Sequence, residues 1–175
     1  AWNGIFVYDN NYTNLLQIGD SIVLTANVSE YYGLTELKDV SQLEIILSNQ
    51  SIPSNVAISS YQADHDEAYE SVLVSLHNVS VISGFDSYKD WTVNDGSGIC
   101  NISNEFFDLS STGLPIITGY SFEEIRGVIK YSWGENYLSP TKISDITSSE
   151  NAILAFIPDT LITDNSEVKI PIKLI

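Results

Sequence analysis

Gly19-Asp20-Ser21-Ile22-Val23-Leu24-Thr25-Ala26-Asn27-Val28-Ser29-Glu30-Tyr31 and Gly119-Tyr120-Ser121-Phe122-Glu123-Glu124-Ile125-Arg126-Gly127-Val128-Ile129-Lys130-Tyr131 stand one hundred residues apart in a chain of 175. Glycine, serine, valine and tyrosine recur at matching places in the two stretches, so the architecture is duplicated. About fifty residues that read as strands precede the second glycine, but only eighteen residues of any kind precede the first. The first copy therefore lacks its opening strands, and something must complete it.

Outward from the repeat, β-branched and aromatic residues dominate in runs broken by Gly, Asn, Asp, Ser and Pro, while helical periodicity is nearly absent. The pattern predicts an all-β protein. Expected strands are Ile5 to Tyr8, Gly19 to Tyr31, Leu34 to Leu47 with an internal break, Ser71 to Ile82, Trp91 to Asn94, Ile99 to Ile102, Gly119 to Tyr131 and Tyr137 to Ile146. Tyr32-Gly33 and Trp133-Gly134 are read as reversals, and Asp95-Gly96-Ser97-Gly98 as a hairpin turn. The acidic group Asp64, Asp66, Glu67 and Glu70 marks the connection between copies, with a short helical turn expected around Asp66 to Glu70. Five strands in the second copy, with a linking segment at Asn104 to Leu114 between the third and fourth, meet the requirement of an OB-fold. The expected fold is two OB-like β-barrels in tandem: residues 1–60 form a partial domain, 61–147 a complete one, and 148–175 a strand-forming tail.

Certain strings carry a family resemblance: Trp2-Asn3-Gly4-Ile5-Phe6-Val7-Tyr8, Gly19-Asp20 with Val28, Glu30-Tyr31-Tyr32-Gly33-Leu34-Thr35-Glu36-Leu37, Tyr69-Glu70-Ser71-Val72-Leu73-Val74, and Trp91 with Asp95-Gly96-Ser97-Gly98. Over residues 2–147 the chain resembles the OB-fold modules that accompany secreted bacterial nucleases of the endonuclease/exonuclease/phosphatase type. The resemblance implies a non-catalytic accessory module, since the chemistry of that family belongs to a separate domain. It also implies that a long strand and the start of a hairpin normally precede the Trp-Asn-Gly-Ile segment.

Residues 148–175 fall outside the repeat and hold two apolar stretches, Ala152 to Ile157 and Val168 to Ile175. In the second, Val168, Ile170, Ile172 and Leu174 alternate with Lys169, Pro171 and Lys173, the pattern of a half-buried strand. Pro171 cannot donate to a ladder, so the segment suits an edge or one-sided pairing. Two strands are wanting at the front and two strand-like pieces remain at the back. The tail folds back in cis, adds to a neighbouring subunit in trans, or begins a further Ig-like module; the sequence leaves all three open.

Seven Lys and Arg against 23 Asp and Glu give a net charge of −16, which opposes contact with phosphate backbones. Nucleic acid is thus a poor partner, and the single Arg, Arg126, leaves little capacity for anion clamps. No apolar run is long enough for a membrane span, and no signal peptide is visible. Without a starting Met the chain reads as processed or excised. Richness in Ser, Thr, Asn and Tyr suits an extracellular or cell-surface β-protein. Five acceptor sequons, at Asn11, Asn27, Asn49, Asn78 and Asn101, make glycans an expectation. Cys100 stands alone, so no intramolecular disulfide forms.

No Gly-x-Ser-x-Gly elbow, HExxH or P-loop occurs, and the chain is read as a non-enzyme. His65 sits in a solvated acidic turn, His77 in a strand, and Asp95 with Ser97 in turn chemistry. No motif implies a cofactor, though Asp9, Asn11 and Asp20 offer hard oxygen ligands that would suit calcium. Exposed rings for stacking a ligand are sought at Tyr32, Trp133, Trp2 and Trp91. The expected role is structural: self-association into a homopolymer by strand complementation, through Val168, Ile170, Ile172 and Leu174 against Ile5 and Val7. A ligand-binding accessory module, contacting nucleic acid or polysaccharide, is the second reading.

Overall fold

The computed structural model describes residues 4–149. Trp2 and the tail residues Val168, Ile170, Ile172 and Leu174 lie outside the described residues. In chain order the strands are β1 (Phe6–Tyr8), β2 (Ser21–Tyr31), β3 (Leu34–Leu47), β4 (Val56–Ala57), β5 (Leu73–Ser83), β6 (Trp91–Asn94), β7 (Ile99–Ile102), β8 (Ser121–Ser132), β9 (Glu135–Ser139) and β10 (Ile146–Ser148), with a helix, α1 (Ser60–His65), between β4 and β5. Among the described residues no helix is long and apolar enough to cross a membrane.

The second copy closes into a five-stranded barrel. β5 runs antiparallel to β6 (Val81 opposite Val93) and β6 to β7 (Val93 opposite Cys100). β7 is parallel to β9 (Ile102 opposite Leu138), β9 antiparallel to β8 (Leu138 opposite Ile129), and β8 antiparallel to β5 (Ile125 opposite Leu76). Every wall strand thus has a neighbour on both sides. The main hydrophobic cluster lies within residues 58–146, with Val74, Leu76, Val93, Ile102, Phe122, Ile125, Ile129 and Leu138 all fully buried, while Leu34 and Val40 of β3 are buried outside it.

α1 was not legible as a helix, although its capping box is in the sequence. The Ser59 hydroxyl accepts the Gln62 N–H and the Gln62 side chain accepts the Ser59 N–H, satisfying two otherwise orphaned donors. The helical turn expected around Asp66 to Glu70 is present as a single 3-10 turn, Glu67–Tyr69. The strand expected from Tyr137 to Ile146 is instead two pieces. Pro140 follows the end of β9, and the buried Asp145 carboxylate accepts the N–H groups of Thr141 and Lys142 and folds a short turn before β10 resumes along β8.

The first copy repeats the same pairings without closing. β1 is parallel to β3 (Val7 opposite Leu37), and β3 is antiparallel to β2 (Leu37 opposite Val28), as β7, β9 and β8 are to one another. Both reversals are two-residue turns with positive φ at each central residue: Tyr32 (50°) and Gly33 (96°), Trp133 (55°) and Gly134 (90°). That conformation matches the twist of the flanking strands. β8 is one residue longer than β2, so the offset of one hundred at the leading glycines becomes 101 at the turns. Among the described residues this sheet has three strands, ordered β1-β3-β2.

The sheet abuts the barrel where β8 ends and β5 is about to begin. A Cβ on Gly4 would fall 1.9 Å from the Ser71 carbonyl oxygen, and one on Gly33 would fall 2.5 Å from the Tyr131 ring. Across the same seam the Thr35 N–H donates to Glu70 at 2.9 Å, and the Lys130 ammonium lies 5.7 Å from the Phe6 ring centroid. Burial raises the Glu70 carboxyl above its ordinary value, and the Thr35 N–H offsets only part of that rise. Gly33→Ala combines a positive φ with that ring contact and is expected to cost about 1–3 kcal/mol, read as a lower denaturant midpoint.

Candidate functional site: an unpartnered sheet face and a neighbouring cleft

Matching positions in the two copies have opposite fates. Ile129 of β8 is fully buried, whereas Val28, its counterpart on β2, is 73% exposed. Phe122, Ile125 and Leu138 are likewise sealed in the barrel, while Ile22, Leu24 and Leu37 are only half-buried. Strand alternation puts Ile22, Leu24, Ala26 and Val28 on one face of β2, and their pairing partners place Leu37 and Val7 on it too. Ile5, two residues before Val7, shares that face. Ile5 (46% exposed) and Val7 (36%), both expected at a complementation interface, therefore border an apolar surface that the described residues leave uncovered.

The difference lies in the neighbouring strands. In the barrel β8 has β5 on its far side and β7 has β6, but among the described residues β2 and β1 have only β3. Among the described residues β5 and β6 have no counterparts in this sheet. β2 is eleven residues long, and a strand whose edge is unpaired among the described residues offers a row of N–H and C=O groups as a template for another strand.

A second feature flanks the Trp133-Gly134 turn. A cleft of about 200 Å³ is lined by Tyr88, Asp90, Asn104, Glu105, Lys130, Trp133 and Tyr137. Trp133 is 96% exposed and Tyr88 82%. The Asp86 carboxylate accepts the N–H groups of Tyr88 and Asp90 and so shapes the loop that carries Tyr88. Lys130 pairs with Glu105 inside the cleft. Of the rings expected to stack a ligand, Trp133 stands at this cleft, and Tyr32 is exposed at the corresponding turn, edge-on to Tyr31 at 4.8 Å. Trp91 is a correction: it is 1% exposed and packs against Phe122 inside the barrel, because the inward face of β6 needs a large apolar group there. Tyr88, Asp90 and Glu105 were missed, since only the fold gathers these separated loops.

The remaining candidates make local contacts. Asp9 accepts the N–H groups of Asn11 and Tyr12, and Asp20 accepts that of Gln17, so both carboxylates among the expected calcium ligands close a local turn. Hydrogen bonds from Ser48 and Gln17 hold the Asp20 carboxyl below its ordinary value. Among the described residues no group of three or more His, Cys, Asp or Glu side chains is gathered as a metal site would require. His65 stacks on Tyr61 beside Asp64, and His77 faces Ser75. Cys100 is buried, which pushes its thiol up to about 12.

Asp95 anchors the β6–β7 turn to α1, accepting from the Ser60 and Ser97 hydroxyls at 2.6 Å each. Burial pushes its carboxyl up, but those hydroxyls and two backbone N–H groups outweigh burial and lower it from 3.8 to about 2. A depressed carboxyl contributes stability above its unfolded value and loses it as pH falls through its folded value. Asp95 should therefore stabilise the barrel above about pH 4 and cease to do so near pH 2. Asp95→Asn is expected to lower stability at neutral pH and to flatten the acid limb of a pH–stability curve.

Fold and sites together define an all-β protein in which a closed five-stranded barrel carries a three-stranded sheet of the same pairing pattern. No protein-family model, curated protein or solved structure matches the chain.

Proposed function

We propose that this is a non-catalytic structural protein of the cell exterior, built from two tandem OB-like units, the first completed by a β-strand from the tail of another copy. The observation that carries this reading is the contrast between a closed barrel and a sheet of identical pairing that stays open among the described residues. Burying Ile170, Ile172 and Leu174 on the vacant face would contribute about 5–8 kcal/mol before ordering costs. The backbone hydrogen bonds of an added strand would add to that gain.

Placement of the chain's exit is compatible with donation in trans. β10 ends at Ser148, opposite Phe122, and the Ser149 N–H reaches the Ser121 carbonyl, so the chain leaves beside the start of β8. The sheet abuts the barrel at the other end of β8, near Tyr131. At roughly 3.3 Å per residue the strand separates the two ends by about 35–40 Å. A tail leaving one end and a vacancy at the other suit head-to-tail contacts, which generate filaments when the rotation does not close. Deleting residues 168–175 should collapse assemblies to single subunits in sedimentation and negative-stain microscopy. Particles of unchanged size would refute the proposal.

The cleft supports a second reading, in line with the resemblance to nuclease-associated modules: a ligand-binding accessory role. Trp133 and Tyr88 supply exposed rings, but Asp90 and Glu105 beside them disfavour phosphate. A neutral polysaccharide is the better ligand. Titrating oligosaccharides should alter fluorescence through Trp133 and leave Trp133→Ala silent, while single-stranded DNA should give no signal even at low salt.

A further inference from the structure

Resting on the head-to-tail reading, we infer that the donated piece is one strand, Val168–Ile175 of a second copy, laid antiparallel along the outer edge of β2 at Ser21–Val28. The barrel supplies the template. At the equivalent edge of β8 lies β5, antiparallel, its residues Leu73–Ser80 spanning Ser121–Val128. Ile129, the counterpart of Val28, continues that edge by donating to the Val72 carbonyl; Ser21–Val28 is eight positions and Val168–Ile175 is eight residues long. β2 turns Ile22, Leu24, Ala26 and Val28 to the vacant face, and the donor repeats the same period with Val168, Ile170, Ile172 and Leu174.

A lone donor beside β2 is bonded on one side only, unlike β5, which pairs with both β8 and β6, and Pro171 suits such one-sided pairing. Beside β2, the odd-numbered donor residues turn their backbone groups to the far edge, where no donor is demanded. Charge agrees. The donor holds Lys169 and Lys173 and no acid, whereas residues 4–50 hold Asp9, Asp20, Glu30, Glu36, Asp39 and Glu44 against Lys38 alone.

Mixing two full-length variants tests polarity and register, since any disulfide between them is intermolecular and the native Cys100 is buried. Val28→Cys with Val168→Cys, and Ile22→Cys with Leu174→Cys, should cross-link at least tenfold faster than the swapped pair Ile22→Cys with Val168→Cys. Val28 is mostly exposed, so its replacement should leave the fold intact. Faster linking of the swapped pair, or no linking within assemblies of normal size, overturns the antiparallel placement while leaving strand donation standing. Absence of assemblies altogether overturns both.

Discussion

Ile129→Ala should lower the stability of the dilute protein by about 2–5 kcal/mol, the range for removing a fully buried isoleucine with little collapse around the gap. Val28→Ala, at the matching place on β2, should change it by less than about 0.5 kcal/mol, because that side chain is already 73% exposed. The pair of measurements separates position from environment: both residues are β-branched, centrally placed and one turn away from an aromatic-glycine reversal. In assembled material the gap should narrow, as a donated strand covers Val28. Denaturant unfolding of both variants at low and high protein concentration supplies the comparison. Equal costs in the dilute protein would mean that the first sheet already has a core.

Leu24→Asp should abolish assembly outright while leaving the barrel's own unfolding transition in place. Leu24 lies mid-strand on the vacant face opposite Leu43, and its barrel counterpart Ile125 is fully buried. In the single subunit a carboxylate there remains solvated and costs little. Once a donor strand closes over it, the charge must be desolvated without a partner, a penalty of several kcal/mol that rivals the whole gain from the donated side chains. Sedimentation should find single subunits at every concentration, and circular dichroism should find the same thermal transition for residues 58–146. Assemblies of normal size would show that this face is not the contact.

Much of this architecture was legible because strand sequences report burial through period and type. The duplicated Gly-x-Ser stretch, the aromatic-glycine reversals and the Asp95–Gly98 hairpin all sit where local chemistry places them. The parallel pairing of β7 with β9 and of β1 with β3 was not readable residue by residue, since parallel neighbours lie far apart in sequence. α1 was overlooked because six residues are too few for a helical stripe, and its Ser59–Gln62 box was the available signal. Pro140 announced the break after β9, although the expected strand ran through it to Ile146. Trp91 shows why a ring in a short strand says nothing of its side: in a four-residue strand an inward and an outward face look alike. The cleft partners Tyr88 and Glu105 come from separate loops, and only closure of the barrel brings them together.

Amide hydrogen exchange along Ser21–Val28 addresses the account most directly, read at those β2 amides that do not bond to β3. The account predicts slow exchange in concentrated full-length protein, and fast exchange both on dilution and in a chain lacking residues 168–175. Slow exchange that persists through dilution and deletion alike would contradict it.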